Sequence, residues 1–387
     1  MKKSLAIVMV HQGAELYGSD RSFLSALRAL REHHPDASID VVLPEPGPIV
    51  DHVARYASRI LYDENGVLRK KKLKARPLGT LANMVRAWRR YCRLFERYDV
   101  CYVNTVVCVA AIAALRSHRG GTYVHVREIP SRFALRVFRV LLRFSRAALI
   151  YNSNATAAAF GMPGTVIHNG VEVSADSAPV SARGGRPLRL AVIGRINPWK
   201  GQQFVVDALR TLGRALPLEL RIVGDVFPGY EVVLDQLRDT ARACAQSVEI
   251  RGFTNDPAQH YAWADYALVP SVLPEPFGRV AIESFASGRP VIAAATGGLT
   301  EIVTHGETGF LFEPNNAQAL LRVLDHAVAL PDDDHARLAN AARACYVNRF
   351  KVETYMRAIA QTVQAPHDAA ATTSAARDAI ALQRESR

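Results

Sequence analysis

Two glutamates, Glu275 and Glu283, stand with seven residues between them in the stretch Pro274-Glu275-Pro276-Phe277-Gly278-Arg279-Val280-Ala281-Ile282-Glu283. Proline and glycine make its first half a turn and the residues after Gly278 open a helix, which places Glu275 before the helix and Glu283 about two turns inside it. At ~1.5 Å of rise per residue the carboxylates would be ~10 Å apart or slightly more, too far to share one metal ion. They suit a ligand lying along the helix N-terminus, where the backbone N–H groups of Phe277, Gly278 and Arg279 and the positive end of the helix dipole favour an anionic group. A sugar joined to phosphate fits, one carboxylate accepting from sugar hydroxyls and the other from ribose hydroxyls. The same spacing also arises by chance from two surface glutamates on an amphipathic helix, so the surrounding motifs have to decide.

Four further segments bear on the choice: His168-Asn169-Gly170-Val171, Gly194-Arg195-Ile196-Asn197-Pro198-Trp199-Lys200-Gly201, Val269-Pro270-Ser271 and Gly297-Gly298-Leu299-Thr300-Glu301. Gly194 ends an aliphatic strand and allows close backbone approach, and the Pro198-Trp199 turn brings Arg195 and Lys200 to the same mouth. Together with the glutamate stretch, these motifs resemble the retaining, nucleotide-sugar-dependent glycosyltransferases of family 4, which have the GT-B fold. The resemblance is strong from about Val166 to Phe312 and weaker before it.

It implies that Arg195 and Lys200 hold the donor pyrophosphate. Breaking a sugar–phosphate bond leaves negative charge on the departing phosphate, and fixed cations stabilise that charge as it develops. Glu275 would orient the donor sugar and Glu283 the ribose. Retention of anomeric configuration is likewise implied by the resemblance alone, with front-face attack and the leaving phosphate taking the acceptor proton, so no side-chain nucleophile is expected. Nor is a metal ion or other cofactor. The acidic run Asp332-Asp333-Asp334 follows Pro331 at a helix start, where acidic residues cap the helix and complement its dipole.

In the first half, Gly13-Ala14-Glu15-Leu16-Tyr17-Gly18-Ser19-Asp20 resembles the glycine-containing loop that the family closes over donor phosphate, with Gly18-Ser19 where many relatives carry two glycines. Gly18 is expected to approach phosphate, and Asp20 reads as an N-cap, a catalytic acid being the alternative. His125-Val126-Arg127-Glu128 ends another strand; His125 is expected to touch a sugar hydroxyl, a purely structural histidine being the alternative. Arg127 and Glu128 either pair with each other or meet acceptor. Asn152-Ser153-Asn154 is turn-forming, and His168 caps backbone groups or touches ligand.

With 387 residues the chain has room for two domains with their own cores. Strand-length aliphatic segments alternate with amphipathic helical ones throughout, which argues α/β. The expected strands are Leu5–Val10, Ile39–Leu43, Val100–Val103, Thr122–Val126, Ala148–Tyr151 and Thr165–Ile167, then Leu188–Ile193, Leu218–Val223, Val248–Ile250, Ala267–Val269, Pro290–Ala293 and Gly309–Phe312. Two Rossmann-like, doubly wound domains facing across a cleft follow from this pattern. Their expected limits are 1–173, a linker at 174–187, 188–349 as the donor-binding domain, a helix at 350–364 crossing back to the first domain, and a disordered tail at 365–387.

Five cysteines, odd in number and without a C-x-x-C pair, point to a reduced cytoplasmic compartment. The apolar run after Met1-Lys2-Lys3 is short and lacks a cleavage site, so it reads as a buried strand, and Val100–Leu115 is too short to span a bilayer. Residues 1–171 hold 26 Lys and Arg against 12 Asp and Glu, a net +14, whereas 172–387 hold 22 against 24, a net −2. All of the excess lies in one domain, which suggests an anionic partner for it. Lys70-Lys71-Lys72-Leu73-Lys74-Ala75-Arg76 precedes a helical stretch with Met84, Trp88, Tyr91 and Phe95 at helical spacing among arginines. Such a helix either lies on an anionic bilayer at the inner face of the membrane or packs its aromatics into the core.

The expectation is a retaining transferase that moves sugar from a nucleoside diphosphate donor to a lipid-linked or glycan acceptor in cell-surface polysaccharide synthesis. A nucleotide-sugar epimerase of the same fold would need no acceptor and is the enzyme alternative. A nucleic-acid-binding protein fits the basic charge, but the basic half lacks an aromatic stacking motif and any zinc or helix-turn-helix signature, so no nucleic acid is expected.

Overall fold

The alternating segments form two parallel α/β units in the computed structural model, which describes residues 4–69, 77–172, 182–226, 229–254 and 256–364. One unit comprises Met1–His168 with Glu353–Arg387, the other Asn169–Val352. The basic run 70–76 and the expected tail lie outside the described residues, as does most of the expected linker.

The first unit runs β1 (Ala6–His11), α1 (Gly18–His33), β2 (Ser38–Leu43), α2 (Val50–Ala54), β3 (Arg59–Tyr62), α3 (Pro77–Phe95), β4 (Val100–Asn104), α4 (Val109–Ala114), β5 (Gly121–Val126), α5 (Arg132–Ser145), β6 (Ala148–Tyr151), α6 (Asn154–Phe160) and β7 (Thr165–Val166). Its strands are all parallel, in the order β3-β2-β1-β4-β5-β6-β7. Because side chains alternate along a strand, Val8, Val10, Cys101, Val103, Val124 and Val126 share one face and form a core with Ala87, Tyr91 and Phe95 of α3, Ile112 of α4 and Phe138 and Leu142 of α5. The opposite row faces inward as well: the His11 ring stacks on Phe23 of α1 at 4.3 Å between centroids. β3 has no counterpart in the expected strands. Its four residues Arg59–Tyr62 are only half-buried at the sheet edge, where Arg59 reaches the buried Asp40 at 2.6 Å and Tyr98 donates to the same carboxylate at 2.5 Å.

The second unit runs β8 (Leu188–Ile193), α7 (Gln202–Thr211), β9 (Leu218–Val223), α8 (Glu231–Arg242), β10 (Ser247–Arg251), α9 (Ala258–Trp263), β11 (Tyr266–Val269), α10 (Arg279–Ala286), β12 (Val291–Ala294), α11 (Leu299–Ile302), β13 (Gly309–Phe312), α12 (Ala317–Ala329) and α13 (Asp332–Cys345). Its parallel sheet has the order β10-β9-β8-β11-β12-β13. Arg183, at the end of the expected linker, donates to the Val328 carbonyl at 3.0 Å and to that of Leu330, and lies 3.4 Å from Asp332. Asp332–Asp334 form the first turn of α13, as their spacing after Pro331 implied. A π-helical turn at Tyr346–Phe350 leads to α14 (Val352–Thr362), which groups with the first unit from Glu353 onward; there Tyr355 donates to the Ser22 carbonyl at 3.1 Å.

Candidate functional site

In an open parallel sheet, ligands bind beyond the carboxyl ends of the strands at the point where strand order reverses. That point lies between β8 and β11 in the second unit, and Gly194-Arg195 and Pro270-Ser271 leave those two strands.

The loop after β8 turns on Asn197, whose side chain accepts from the Lys200 backbone N–H at 3.0 Å, while the Arg195 carbonyl accepts from Gln202 at 3.0 Å. Gly201 then starts α7 with φ +80°, and a Cβ there would sit 2.0 Å from the Pro270 carbonyl oxygen, so only glycine lets the two loops meet. Their meeting brings Lys200 Nζ to 2.8 Å from both oxygens of Glu275, and Ser271 Oγ donates to Oε2 at 2.8 Å. Burial alone would raise the Glu275 pKa, but the ammonium and the two kinds of hydrogen bond outweigh it and hold the group below the usual carboxylate range. Three of about four lone-pair positions on Glu275 are thereby taken, leaving one on Oε1 among the described residues.

The second expected carboxylate is equally organised. Glu283 Oε1 accepts from Arg279 Nε at 2.7 Å and Oε2 from the Tyr261 hydroxyl at 3.2 Å, leaving each oxygen one free lone pair among the described residues. Gly278 is the N-cap of α10 at φ +111° and Arg279 its first residue, so Glu283 lies one turn in rather than two. Phe277 is buried with its ring 6.2 Å from that of Phe350, so its side chain belongs to the core. Gly297 and Gly298, between β12 and α11, press on the glutamate loop: Cβ atoms there would lie 2.1 Å from the Glu275 carbonyl oxygen and 2.6 Å from that of Phe277. Gly298 N–H donates to the Glu275 carbonyl at 2.8 Å. Around Gly194 itself, at φ +138°, a Cβ would meet nothing within 4 Å.

The first unit has its reversal between β1 and β4, and a polar row crosses it: His11 pairs in register with Asn104, and Asn104 with His125. His11 Nε2 donates to Asp20 Oδ1 at 2.8 Å, Asn104 Nδ2 donates to His11 Nδ1 at 2.8 Å, and Asn104 Oδ1 accepts from Arg127 Nε at 2.5 Å. Arg127 continues to Tyr355 at 2.8 Å and to His125 Nδ1 at 3.2 Å. Its guanidinium thus serves this row, and its backbone N–H donates to Glu128 Oε2 at 3.3 Å. Tyr102 also donates to His125 Nδ1, at 2.5 Å. Two donors on Nδ1 fix the tautomer with hydrogen on Nε2, which has no partner among the described residues. His125 is fully buried beneath the carboxyl edge; burial first, then the Arg127 charge, push its pKa well below the ordinary histidine value.

Asp20 is the third residue of α1 and not its N-cap, which is Tyr17; its carboxylate nonetheless satisfies the Tyr17 N–H at 2.9 Å. Gly18 opens α1 in an ordinary conformation and accepts from Ser22 at 3.0 Å. Gly13 is the glycine that packing requires, since a Cβ there would meet Asp20 Oδ1 at 2.4 Å. Ser153 caps α6, accepting from Thr156 N at 2.9 Å. Sequence reasoning missed His11, Ser271 and Tyr261. The first stood at the end of an expected strand and the second within a quoted motif, whereas Tyr261 meets Glu283 across 22 residues and left no local signal.

Two doubly wound units, each with its candidate residues at the carboxyl edge, have the architecture of the GT-B class. Residues 175–344 match the family model described as "Glycosyl transferases group 1". Through that segment the chain is similar to this family. It is 36% identical over 163 residues to the D-inositol 3-phosphate glycosyltransferase of Corynebacterium glutamicum, covering 40% of this chain and 38% of that one. Over 177 residues it is 29% identical to the lipopolysaccharide 1,2-N-acetylglucosaminetransferase of Salmonella typhimurium, covering 42% and 45%. The match therefore spans less than half the length of either curated relative. Anabaena HepE, solved in complex with UDP-glucose, superposes over 92% of this chain and 99% of its own with TM-score 0.75 at 26% identity.

Proposed function

We propose that the chain is a retaining glycosyltransferase that moves a sugar from a nucleoside diphosphate sugar to a lipid-linked or glycan acceptor in cell-surface polysaccharide synthesis. The observation that carries the reading is the second unit's paired site, Lys200–Glu275 beside Arg279–Glu283 at one carboxyl edge. Glu283, with one lone pair left on each oxygen, suits the two vicinal hydroxyls of a ribose. Glu275, with one left, suits a single sugar hydroxyl. Lys200 and Arg195 would meet the pyrophosphate, with Gly194 leaving space for it and the N–H groups of Phe277, Gly278 and Arg279 assisting. Charge developing on the leaving phosphate would then be neutralised by side chains, without a metal ion.

On the first unit, Gly18 at the start of α1 is assigned to the phosphate side and the Nε2–H of His125 to a sugar hydroxyl. The reaction is placed in the cytoplasm, at the inner face of the membrane, where a lipid-linked acceptor would be reached. Among the described residues no helix is long and apolar enough to cross a membrane, so attachment would be peripheral.

A thermal-shift panel of UDP, GDP, ADP and CMP sugars tests the donor assignment, since a donor at a hundred times its Kd adds about 2.7 kcal/mol to stability. Stabilisation by one sugar nucleotide supports the reading, and a flat panel sinks it. Incubation with donor alone then separates transfer from epimerisation, because only an epimerase alters the sugar without acceptor.

A further inference from the structure

Helix α5 buries Phe138 and Leu142 in the first unit's core but leaves Phe133, Val137, Val140 and Phe144 exposed at 78%, 51%, 67% and 52%. These four recur at i, i+4, i+7 and i+11, a single outward stripe. Arg132, Arg136 and Arg143 are exposed beside it, and the helix contains no acidic residue. Helix α3 repeats the design: Leu78, Leu81, Val85 and Trp88, at i, i+3, i+7 and i+10, are exposed at 83%, 61%, 40% and 38%. Arg86, Arg89, Arg90 and Arg93 are exposed as well, again without an acidic residue. The buried α4 packs against both helices, and all three cover the same face of the sheet, so both stripes point away from it.

The aromatic series expected for α3 is thereby divided. Tyr91 and Phe95 belong to the core, while Trp88 joins the outward stripe.

We propose that the outward faces of α3 and α5 form a docking surface for an anionic lipid bilayer. The inference deepens the peripheral attachment in the reading above and rests on it for its occasion. Large apolar side chains in helical stripes insert at the headgroup boundary, and the flanking arginines meet lipid phosphates. Charge complementarity selects the occupant: each face joins an apolar stripe to exposed arginines on a helix without acidic residues, Arg90 being paired with Asp63 at 2.7 Å, in a half-chain of net charge +14. A protein partner would need a matching acidic rim around an apolar ridge, whereas an anionic bilayer offers both chemistries everywhere.

The experiment sediments the full chain with vesicles of phosphatidylcholine alone and of phosphatidylcholine mixed with phosphatidylglycerol. Binding is expected only to the second. F133S/F144S should weaken it on the order of tenfold per phenylalanine, and R136S/R143S roughly fivefold per arginine and in a salt-dependent way. L81S/V85S should weaken it independently. All six side chains are exposed, so melting temperatures should stay unchanged, and Trp88 emission should shift to the blue on binding.

Vesicle binding indifferent to all three double variants, or equal on both vesicle types, would overturn the proposal. So would a dimer that F133S/F144S dissolves, since the face would then belong to a second copy. UDP-glucose thermal shift on the same samples keeps the two readings apart: loss of docking with intact donor binding condemns this surface alone, and the reverse condemns the donor assignment alone.

Discussion

Lys200 and Glu275 form an ion pair at 2.8 Å although 75 residues separate them in the chain. The two were expected to serve different parts of a donor, the pyrophosphate and the sugar. Their contact makes them one unit, the ammonium holding the carboxylate ionised while the Ser271 hydroxyl fixes its second oxygen. Glu275→Gln should therefore keep the site's shape and lose the pair, lowering turnover more than nucleotide affinity. The pKa of Glu275 is depressed in the fold, so its contribution to stability is full above the unfolded carboxylate range and is lost as pH falls through the lower folded value. Melting curves of the native chain and of Glu275→Gln should accordingly differ at pH 7 and converge in acid; parallel curves would mean that Glu275 is not held ionised by Lys200.

Glu283 offers a different readout. Replacing it with alanine would remove the acceptors proposed for donor hydroxyls and should weaken donor binding by about 1.5–3 kcal/mol. Arg279 and Tyr261 would also lose a partner, so Tyr261→Phe is the control for mere disorder of the carboxylate, and a smaller loss is expected there. Calorimetric titration of both variants with the donor found by the panel gives the comparison. Equal affinities in native chain and Glu283→Ala would remove Glu283 from the site.

Arg195 and Lys200 carry the claim of metal-free chemistry. Alanine at either position should lower transfer by orders of magnitude with the fold intact, and activity of the native chain should persist in EDTA. Abolition by EDTA, restored by Mg²⁺ or Mn²⁺, would establish a metal-dependent reaction instead.

Most of this fold could be read from the chain because buried parallel strands are continuous aliphatic runs, and Leu188–Ile193, Leu218–Val223 and Gly309–Phe312 lie where their sequences put them. Arg59–Tyr62 escaped because an edge strand buries little and its outer residues are polar or amphipathic. Within the site, residues held by local turn chemistry were legible, as with Gly278 and Arg279. Pairings across loops were not. Nothing near Lys200 announces Glu275, and the glycines at 297 and 298 show their purpose only when the Glu275 backbone lies against them. His125 was expected near a sugar at the edge of its strand, yet the row His11–Asn104–His125 is buried together, a fact of register that no single strand reveals.

That buried row yields the last prediction. Both His11 and His125 have pKa values pushed down, chiefly by burial, against an ordinary value of 6.5. A group whose folded pKa lies below its unfolded one favours the native state above the unfolded value, and that advantage is lost as pH falls toward the folded value. Stability should therefore decline below about pH 6.5, before most carboxylates titrate, with each histidine contributing up to roughly 1.4 kcal/mol per pH unit. His125→Asn, which keeps a polar acceptor for Tyr102, should shallow this decline even if it lowers stability at pH 8. Urea melts between pH 8 and pH 5.5 measure the slope directly. A slope unchanged by His125→Asn would show that the ring is already charged or accessible in the native state, and with it would fall the neutral Nε2–H donor proposed for the sugar hydroxyl.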